Sequence, residues 1–349
     1  MDVLSTSSVE RARPGPSVVT VGNFDGVHRG HQSILARARE LATQASARLV
    51  VVTFEPHPAS VLRPGGAPPL LTDLPERLSR LEQAGVDQVL LLDPLAGVLE
   101  QSAEQFVRAV LVERLGCRAV VEGPGFRFGR DRTGDLAVLA RLGRALGFDV
   151  HEVAPCPLRP GDVRIVCSSL IRELIAAGDL AAAKAGLGRP VRLCGQVVRG
   201  RQIGRTLGFP TANIDCRALQ APPAGVYAGR ALLPDGRWAL AAMNIGTRPS
   251  IAPQDPPCCE AHLLDVEVDL YDQRLCVDIV QRLRDIERFG SVEELGLAIA
   301  ADVAQVRSLL AGATDDRMRS AQAATGATPG VMSARPVQAC QEPAKQPTG

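Results

Sequence analysis

Hydrophobic and polar positions follow two different rhythms along these 349 residues, and the change comes near residue 188. In the first part, short β-branched runs alternate with longer segments of helical spacing. Val18 to Val21 reads as a buried strand. Ile34, Ala38, Leu41 and Ala45 then recur at i, i+4, i+7 and i+11, which predicts an amphipathic helix. Leu49 to Phe54 is a second strand and completes a βαβ unit, whose crossover is right-handed almost without exception. Strands at 89–93 and 119–122, with helices at 102–115 and 136–147, continue the alternation to about residue 155. That order marks an α/β fold with a doubly wound parallel sheet. Residues 168–185 read as helical, interrupted at Gly178-Asp179-Leu180 by a stop and a fresh Asp cap. Gly188-Arg189-Pro190 ends the helical region and makes a domain boundary.

Beyond that point the pieces become short and β-rich, at 191–199, 225–233, 238–245, 260–271 and 274–281, separated by Gly, Pro and Asp turns. This predicts an antiparallel β-barrel. A final helix over about 291–310 carries Leu295, Ile299, Val303, Val306 and Leu310 at helical spacing. The expected organisation is a flexible lead-in (1–16), a first domain (17–187), a second domain (188–312) and a disordered tail (313–349). The tail expectation rests on four prolines, no aromatic residue and too little apolar surface between 315 and 349 to offset chain entropy.

Composition narrows the function classes. A net charge of +1 argues against a general nucleic-acid or membrane surface, because those carry clustered Lys and Arg. No apolar run approaches the ~20 residues that a bilayer span requires. The first ten residues lack the basic and apolar regions of a secretory signal. Nine scattered cysteines form no disulfide framework and read as free thiols in a reducing cytosol, so a cytoplasmic location is expected.

The chemistry concentrates first in the loop after the first strand, Val21-Gly-Asn-Phe-Asp-Gly-Val-His-Arg-Gly-His31. A loop at the carboxyl edge of a parallel sheet is where open α/β sheets bind ligands. Glycines at 22, 26 and 30 allow close backbone approach, helix N-terminal amides attract an anion, and His28 and His31 add polar groups. A polyphosphate fits this loop. Metal ligation by the two histidines would need further ligands, and no cysteine pairs stand at zinc-ribbon spacing.

The same loop resembles the Gly-x-Phe-Asp-Gly-x-His-x-Gly-His signature of bacterial bifunctional riboflavin kinase/FAD synthetases. Further strings match that family in order, namely Thr53-Phe-Glu-Pro-His-Pro58, Leu71-Thr-Asp-Leu-Pro-Glu-Arg77 with Gly85-Val-Asp87, Gly123-Pro-Gly-Phe-Arg-Phe-Gly129, Cys167-Ser-Ser-Leu-Ile-Arg172 and Gly204-Arg-Thr-Leu-Gly-Phe-Pro-Thr-Ala-Asn213. The resemblance implies phosphorylation of riboflavin to FMN and adenylylation of FMN to FAD, with ATP as co-substrate, Mg²⁺ as cofactor and no nucleic-acid or membrane partner. For the adenylylation half it implies His28, His31 and Arg172 as the catalytic phosphate clamp. Gly22, Asn23, Phe24, Asp25, Gly30, Ser168 and Ser169 stand for nucleotide contacts, with the two serines also suited to cap a helix. Asn23 and Asp25 are suited to orient a histidine, to meet magnesium or simply to form the turn. His57, Phe126 and Arg127 are implied on the flavin side.

For the kinase half, the resemblance implies Glu260 as the base for the riboflavin hydroxyl. Thr211 and Asn213 are the implied magnesium and ATP ligands, with hard oxygen donors. Gly204 and Arg205 belong to the flap over the phosphates, and Asn244, Arg248, Arg284 and Phe289 to the flavin pocket. The chain departs from the family pattern at Gly125, where Asp or Asn is usual, and at Cys167, Val266 and Asp272. The Gly125 departure leaves an alternative expectation, a riboflavin kinase with a weakened adenylyltransferase domain.

Overall fold

The computed structural model describes residues 1–6, 15–63, 65–200, 203–246 and 258–310. Arg248, the lead-in residues 7–14 and the expected tail lie outside these. The elements in order are β1 (Asp2–Ser5), β2 (Ser17–Val21), α1 (Arg29–Gln44), β3 (Arg48–Phe54), α2 (Pro58–Leu62), α3 (Leu74–Gln83) and β4 (Gln88–Leu92). Next come α4 (Ala103–Phe106), running on into a π-helical stretch over Val107–Arg114, then β5 (Cys117–Glu122), α5 (Leu136–Leu146), β6 (Asp149–Glu152), α6 (Ser168–Ala176) and α7 (Leu180–Leu187). The remainder is β7 (Val191–Val198), α8 (Ile203–Thr206), β8 (Thr211–Asp215), β9 (Gly225–Leu232), β10 (Trp238–Gly246), β11 (Cys258–Leu263), β12 (Arg274–Arg284) and α9 (Val292–Leu310).

The first six strands form one parallel sheet in the order β1-β4-β3-β2-β5-β6. Alternate residues of its central strands face opposite layers. Val18, Leu49, Val51 and Val89 pack with Leu35, Ala38 and Ala42 of α1 and Leu81 of α3. Val19, Val21, Val50 and Val52 pack with Phe106, Val107, Leu111 and Leu139 on the other side. The buried face of α1 therefore centres one residue from the predicted stripe, with Ile34 and Leu41 at its margins. The winding direction reverses between β2 and β5, so the loops after those strands border the crevice where such sheets take ligands.

β7 to β12 close into an antiparallel barrel, in the order β10-β11-β8-β7-β12-β9. Its core does not stop at residue 188. Ile171, Leu174 and Leu187 of α6 and α7 belong to one apolar cluster with Val191, Tyr227, Met243, Ala261 and Leu275 of the barrel.

Several expectations are corrected. The lead-in is not all outside the fold, because Asp2–Ser5 adds an edge strand beside β4 and buries Leu4. β6 and β8 are strands the apolar pattern did not announce; β6 is an edge strand with mostly polar residues, and β8 reads Thr-Ala-Asn-Ile-Asp. The run predicted over 260–271 ends at Leu263, where the chain turns through Asp265 with φ of 58°. The expected free thiols are corrected at one pair: β7–β12 register sets Cys194 opposite Cys276, and the two form a disulfide. Their 82-residue separation hid that pairing. Cys117, Cys156, Cys167, Cys216 and Cys259 keep free thiols.

Candidate active sites

The loop after β2 turns through Phe24, Gly26 and Val27, all at positive φ (49°, 83° and 36°). His28 follows as the N-cap of α1, its Nδ1 accepting from the backbone N–H of His31 at 3.4 Å. The two imidazoles stack with centroids 3.6 Å apart, and the Phe24 ring leans on His31 at 4.9 Å. A side chain at Gly30 would press on His28 and on the Val166 carbonyl at 3.1–3.3 Å, so any larger residue there must displace the histidine cap slightly. Burial is the main reason the His28 pKa falls to about 4, with the Arg189 and Arg172 charges adding to it. Burial also holds the His31 pKa well below its ordinary value, and His28 and Arg189 act in the same direction. Both rings are neutral at pH 7, and His31 Nδ1 is buried without a protein hydrogen-bond partner.

Asp25 binds protein groups. Its carboxylate accepts from the Leu71 N–H (2.9 Å), the Thr72 N–H (3.0 Å) and Arg172 Nη2 (2.5 Å). Arg172 also donates through Nε to the Pro69 carbonyl at 2.7 Å. The expected phosphate residues Asp25 and Arg172 thus form a buried clasp between the loop, residues 69–72 and α6. Ser168 joins it, donating to the Asp25 carbonyl at 3.0 Å, while Ser169 is exposed. The expectation that a serine caps α6 is corrected: the N-cap position is Cys167, which makes no side-chain cap, and Ser168 already lies inside the helix.

Sequence reasoning missed Arg77, although it quoted the string that contains it. This buried guanidinium donates to the carbonyls of Asn23 and Phe54, each at 3.1 Å, and to Glu55 at 2.5 Å. It fixes the loops after β2 and β3 together, and Asn23 contributes through its backbone. His57 caps α2, accepting from Ala59 N–H at 3.1 Å, half-buried and with its pKa lowered chiefly by burial. Across the crevice, Phe126 stacks on Phe128 (5.3 Å), and exposed Arg127 lies 3.8 Å from Asp135. Gly125 has φ of 76° and open space where a side chain would stand. Gly22 lies beside the Phe24 ring.

The second site follows from strand register. Asn213 of β8, Glu260 of β11 and Asn244 of β10 are direct partners in one row across three strands. The next outward pair is Thr211 with His262. Cys259, Ala261 and Leu263 alternate with these and are buried in the core, so Glu260 and His262 lie on the barrel's outer face. There they line a cavity of about 350 Å³ with Gly204, Phe209, Thr211, Asn244, Arg284 and Phe289, closed on one side by Leu295, Ile299 and Asp302 of α9. Arg284 is gripped by Asp302 at 2.8 and 2.9 Å and lies 5.6 Å from the Phe289 ring centroid, so it braces the pocket wall against α9. A second cavity, of about 490 Å³, is lined by Arg205, Thr211, Ala212, Ala261 and Tyr271. Thr211 lines both.

Among the described residues, one cluster offers three metal-type donors: Glu76, Cys194 and Cys276. The sulfurs are bonded to each other and Glu76 is paired with Arg80 and Arg192, so it is not a metal centre.

A doubly wound parallel sheet with a histidine loop at its carboxyl edge, followed by a closed barrel whose outer face turns Glu260 into a cavity, fits a class: a two-domain nucleotide-dependent transferase. The comparisons place it more narrowly. A family model described as FAD synthetase matches residues 10–168, and one described as riboflavin kinase matches residues 187–310. The bifunctional riboflavin kinase/FMN adenylyltransferase of Pseudomonas fluorescens is 42% identical over 294 residues, covering 84% of this chain and 93% of that protein. Its counterpart in Escherichia coli (strain K12) is 38% identical over 285 residues, with 82% and 90% covered. A crystal structure described as a macrolide-efflux protein from Streptococcus pneumoniae matches with a TM-score of 0.75 at 27% identity, covering 88% of this chain and 99% of that one. The chain belongs to the bifunctional riboflavin kinase/FMN adenylyltransferase family. Both halves match, which favours two activities over a kinase alone.

Proposed function

We propose that each of the two sites carries one of the chain's two ATP-dependent steps, with domains dividing near residue 188 and a cytoplasmic setting. In the barrel, the riboflavin 5′-hydroxyl attacks the γ-phosphorus of ATP and ADP leaves. Glu260 accepts the hydroxyl proton. The flavin occupies the apolar cavity under α9, the nucleotide occupies the cavity beside Arg205, and transfer takes place at Thr211, where the cavities meet. That shared residue is the observation that carries the reading. The Thr211 hydroxyl and Asn213 amide oxygen fit a hard cation, and they would hold Mg²⁺, which neutralises phosphate charge.

At the sheet, an FMN phosphate oxygen attacks the α-phosphorus of ATP and pyrophosphate leaves. Such transfer depends on positioning and on stabilising phosphoryl charge. The α1 N-terminus and the neutral His28–His31 pair supply that, with Phe126, Arg127 and His57 on the flavin side. The test is incubation of the chain with riboflavin, ATP and Mg²⁺, separating FMN from FAD. Both products are expected, and FMN alone would refute the second site.

A further inference from the structure

We propose that Arg189, which stands between α7 and the first barrel strand, is a positioning residue for adenylyl transfer, holding the loop that presents His28 and His31. This rests on reading that loop as the adenylylation site. Read in sequence, Gly188-Arg189-Pro190 looks like nothing more than a boundary. In the structure, Arg189 turns back into the first domain: Nη2 donates to the Gly26 carbonyl at 2.7 Å, and Nη1 donates to the carbonyls of Leu187 (3.3 Å) and Val27 (3.5 Å). Gln32 works beside it, donating to the Val27 carbonyl at 2.8 Å and the Leu187 carbonyl at 3.1 Å.

Two of the three carbonyls that Arg189 holds belong to the residues that most need holding. Gly26 sits at φ of 83°, and Val27, a β-branched residue, at 36°. A β-branched side chain at positive φ is strained, and such a conformation persists only where surroundings enforce it. Val27 immediately precedes His28, so relaxing its φ would swing the histidine cap and unstack the imidazole pair. A displacement of about 1 Å at a reacting centre costs on the order of 10²-fold in rate. Arg189 lies in a charged cluster at the junction. Burial and the neighbouring Arg80 weigh against its charge, whereas Glu76 and Asp278 favour it; Glu76 bonds Arg80 (2.7 Å) and Arg192 (3.3 Å), and Arg192 grips Asp278 of β12 at 2.6 and 3.0 Å. A guanidinium can serve carbonyls on both of its arms, whereas a lysine offers a single point.

The experiment compares Arg189→Met and Arg189→Lys in the full chain, measuring FMN formation and FAD formation on the same preparations. For Arg189→Met, kcat for FAD formation should fall about 10²-fold. KM for ATP should change far less, because Arg189 points at carbonyls and not at substrate. Arg189→Lys, which offers a single point, should recover part of the loss, and riboflavin phosphorylation should stay near wild type in both, which also reports folding. Gln32→Met should reproduce the pattern more weakly. FAD formation near wild type in Arg189→Met would overturn the proposal. So would equal loss of both activities without rescue by lysine, the result expected of a junction needed only for folding. Failure of the underlying reading is separate: His31→Ala would then retain FAD formation in a chain with native Arg189.

Discussion

The two sites are built by opposite means. In the sheet domain the working residues sit on a strained loop and a helix start, and backbone carbonyls of that loop are held from outside by Arg77, Gln32 and Arg189. In the barrel, Asn213, Glu260 and Asn244 are placed by strand pairing alone, one row of partners on a closed sheet. A register-built site inherits the rigidity of the barrel, since a one-residue slip would turn every side chain to the other face. A loop-built site needs its supports one by one. The difference teaches where each half is vulnerable: the barrel at the reacting group, the loop at residues that never meet substrate.

The sharpest way to break this comparison is Glu260→Gln. Loss of a general base costs roughly 10²–10⁴ in rate, so FMN formation should fall by that factor while FAD formation from supplied FMN continues. Riboflavin kinetics would check it. His31→Ala comes next. Removing a preorganised group from a transferring phosphate costs about 10²-fold or more, here in FAD formation only.

Smaller effects concern protonation in the sheet domain. The His28 pKa is lowered from 6.5 to about 4 by burial first. Between those values the unfolded chain binds a proton that the folded chain does not, so this part of the stability is present above pH 6.5 and lost as pH falls toward 4, at ~1.4 kcal/mol per pH unit. Glu122 runs the other way. It is buried, accepts from the Val21 N–H at 2.6 Å, and burial raises its pKa well above 4.5. Its folded form keeps a proton that the unfolded chain gives up, so its contribution shrinks as pH rises. Glu122→Gln keeps an acceptor for Val21, and its stability relative to wild type should increase from pH 5 to pH 9 in denaturant melts. A constant difference would contradict this.

The smallest prediction concerns Gly125, where a polar side chain is the family habit. The space around it is open, though its φ of 76° suits asparagine better than most residues. Gly125→Asn should lower the apparent KM for FMN or ATP about fivefold if it regains one hydrogen bond of ~1 kcal/mol. Kinase activity should not change. Constants equal to wild type would speak against a contact at that position.

Much of this was legible in the chain. The βαβ rhythm announced the parallel sheet, turn spacing announced the barrel, and the histidine loop landed at the start of α1 as its pattern implied. What stayed hidden has a common physical cause. β8 escaped because it is only five residues long and its inward positions, Ala212 and Ile214, give a weak apolar beat between the polar Thr211 and Asn213 that the proposed site uses. Asp25 and Arg172 stood out as site residues, but nothing in the sequence tied them to each other, since their bond spans 147 positions. The disulfide partners, and Arg189 with the loop it holds, are likewise distant in sequence and adjacent in space. Periodicity reports which face of an element is apolar; it carries no record of which distant polar group completes a loop.

The central claim is that two chemically separate sites on one chain are linked by FMN as product and substrate. The direct test is to mix the Glu260→Gln and His31→Ala chains with riboflavin, ATP and Mg²⁺ and follow FAD. Each variant alone should make little FAD, the first for want of FMN and the second for want of adenylylation. The mixture should form FAD readily, because FMN released by one chain is adenylylated by the other. A mixture no better than either variant alone would contradict the account.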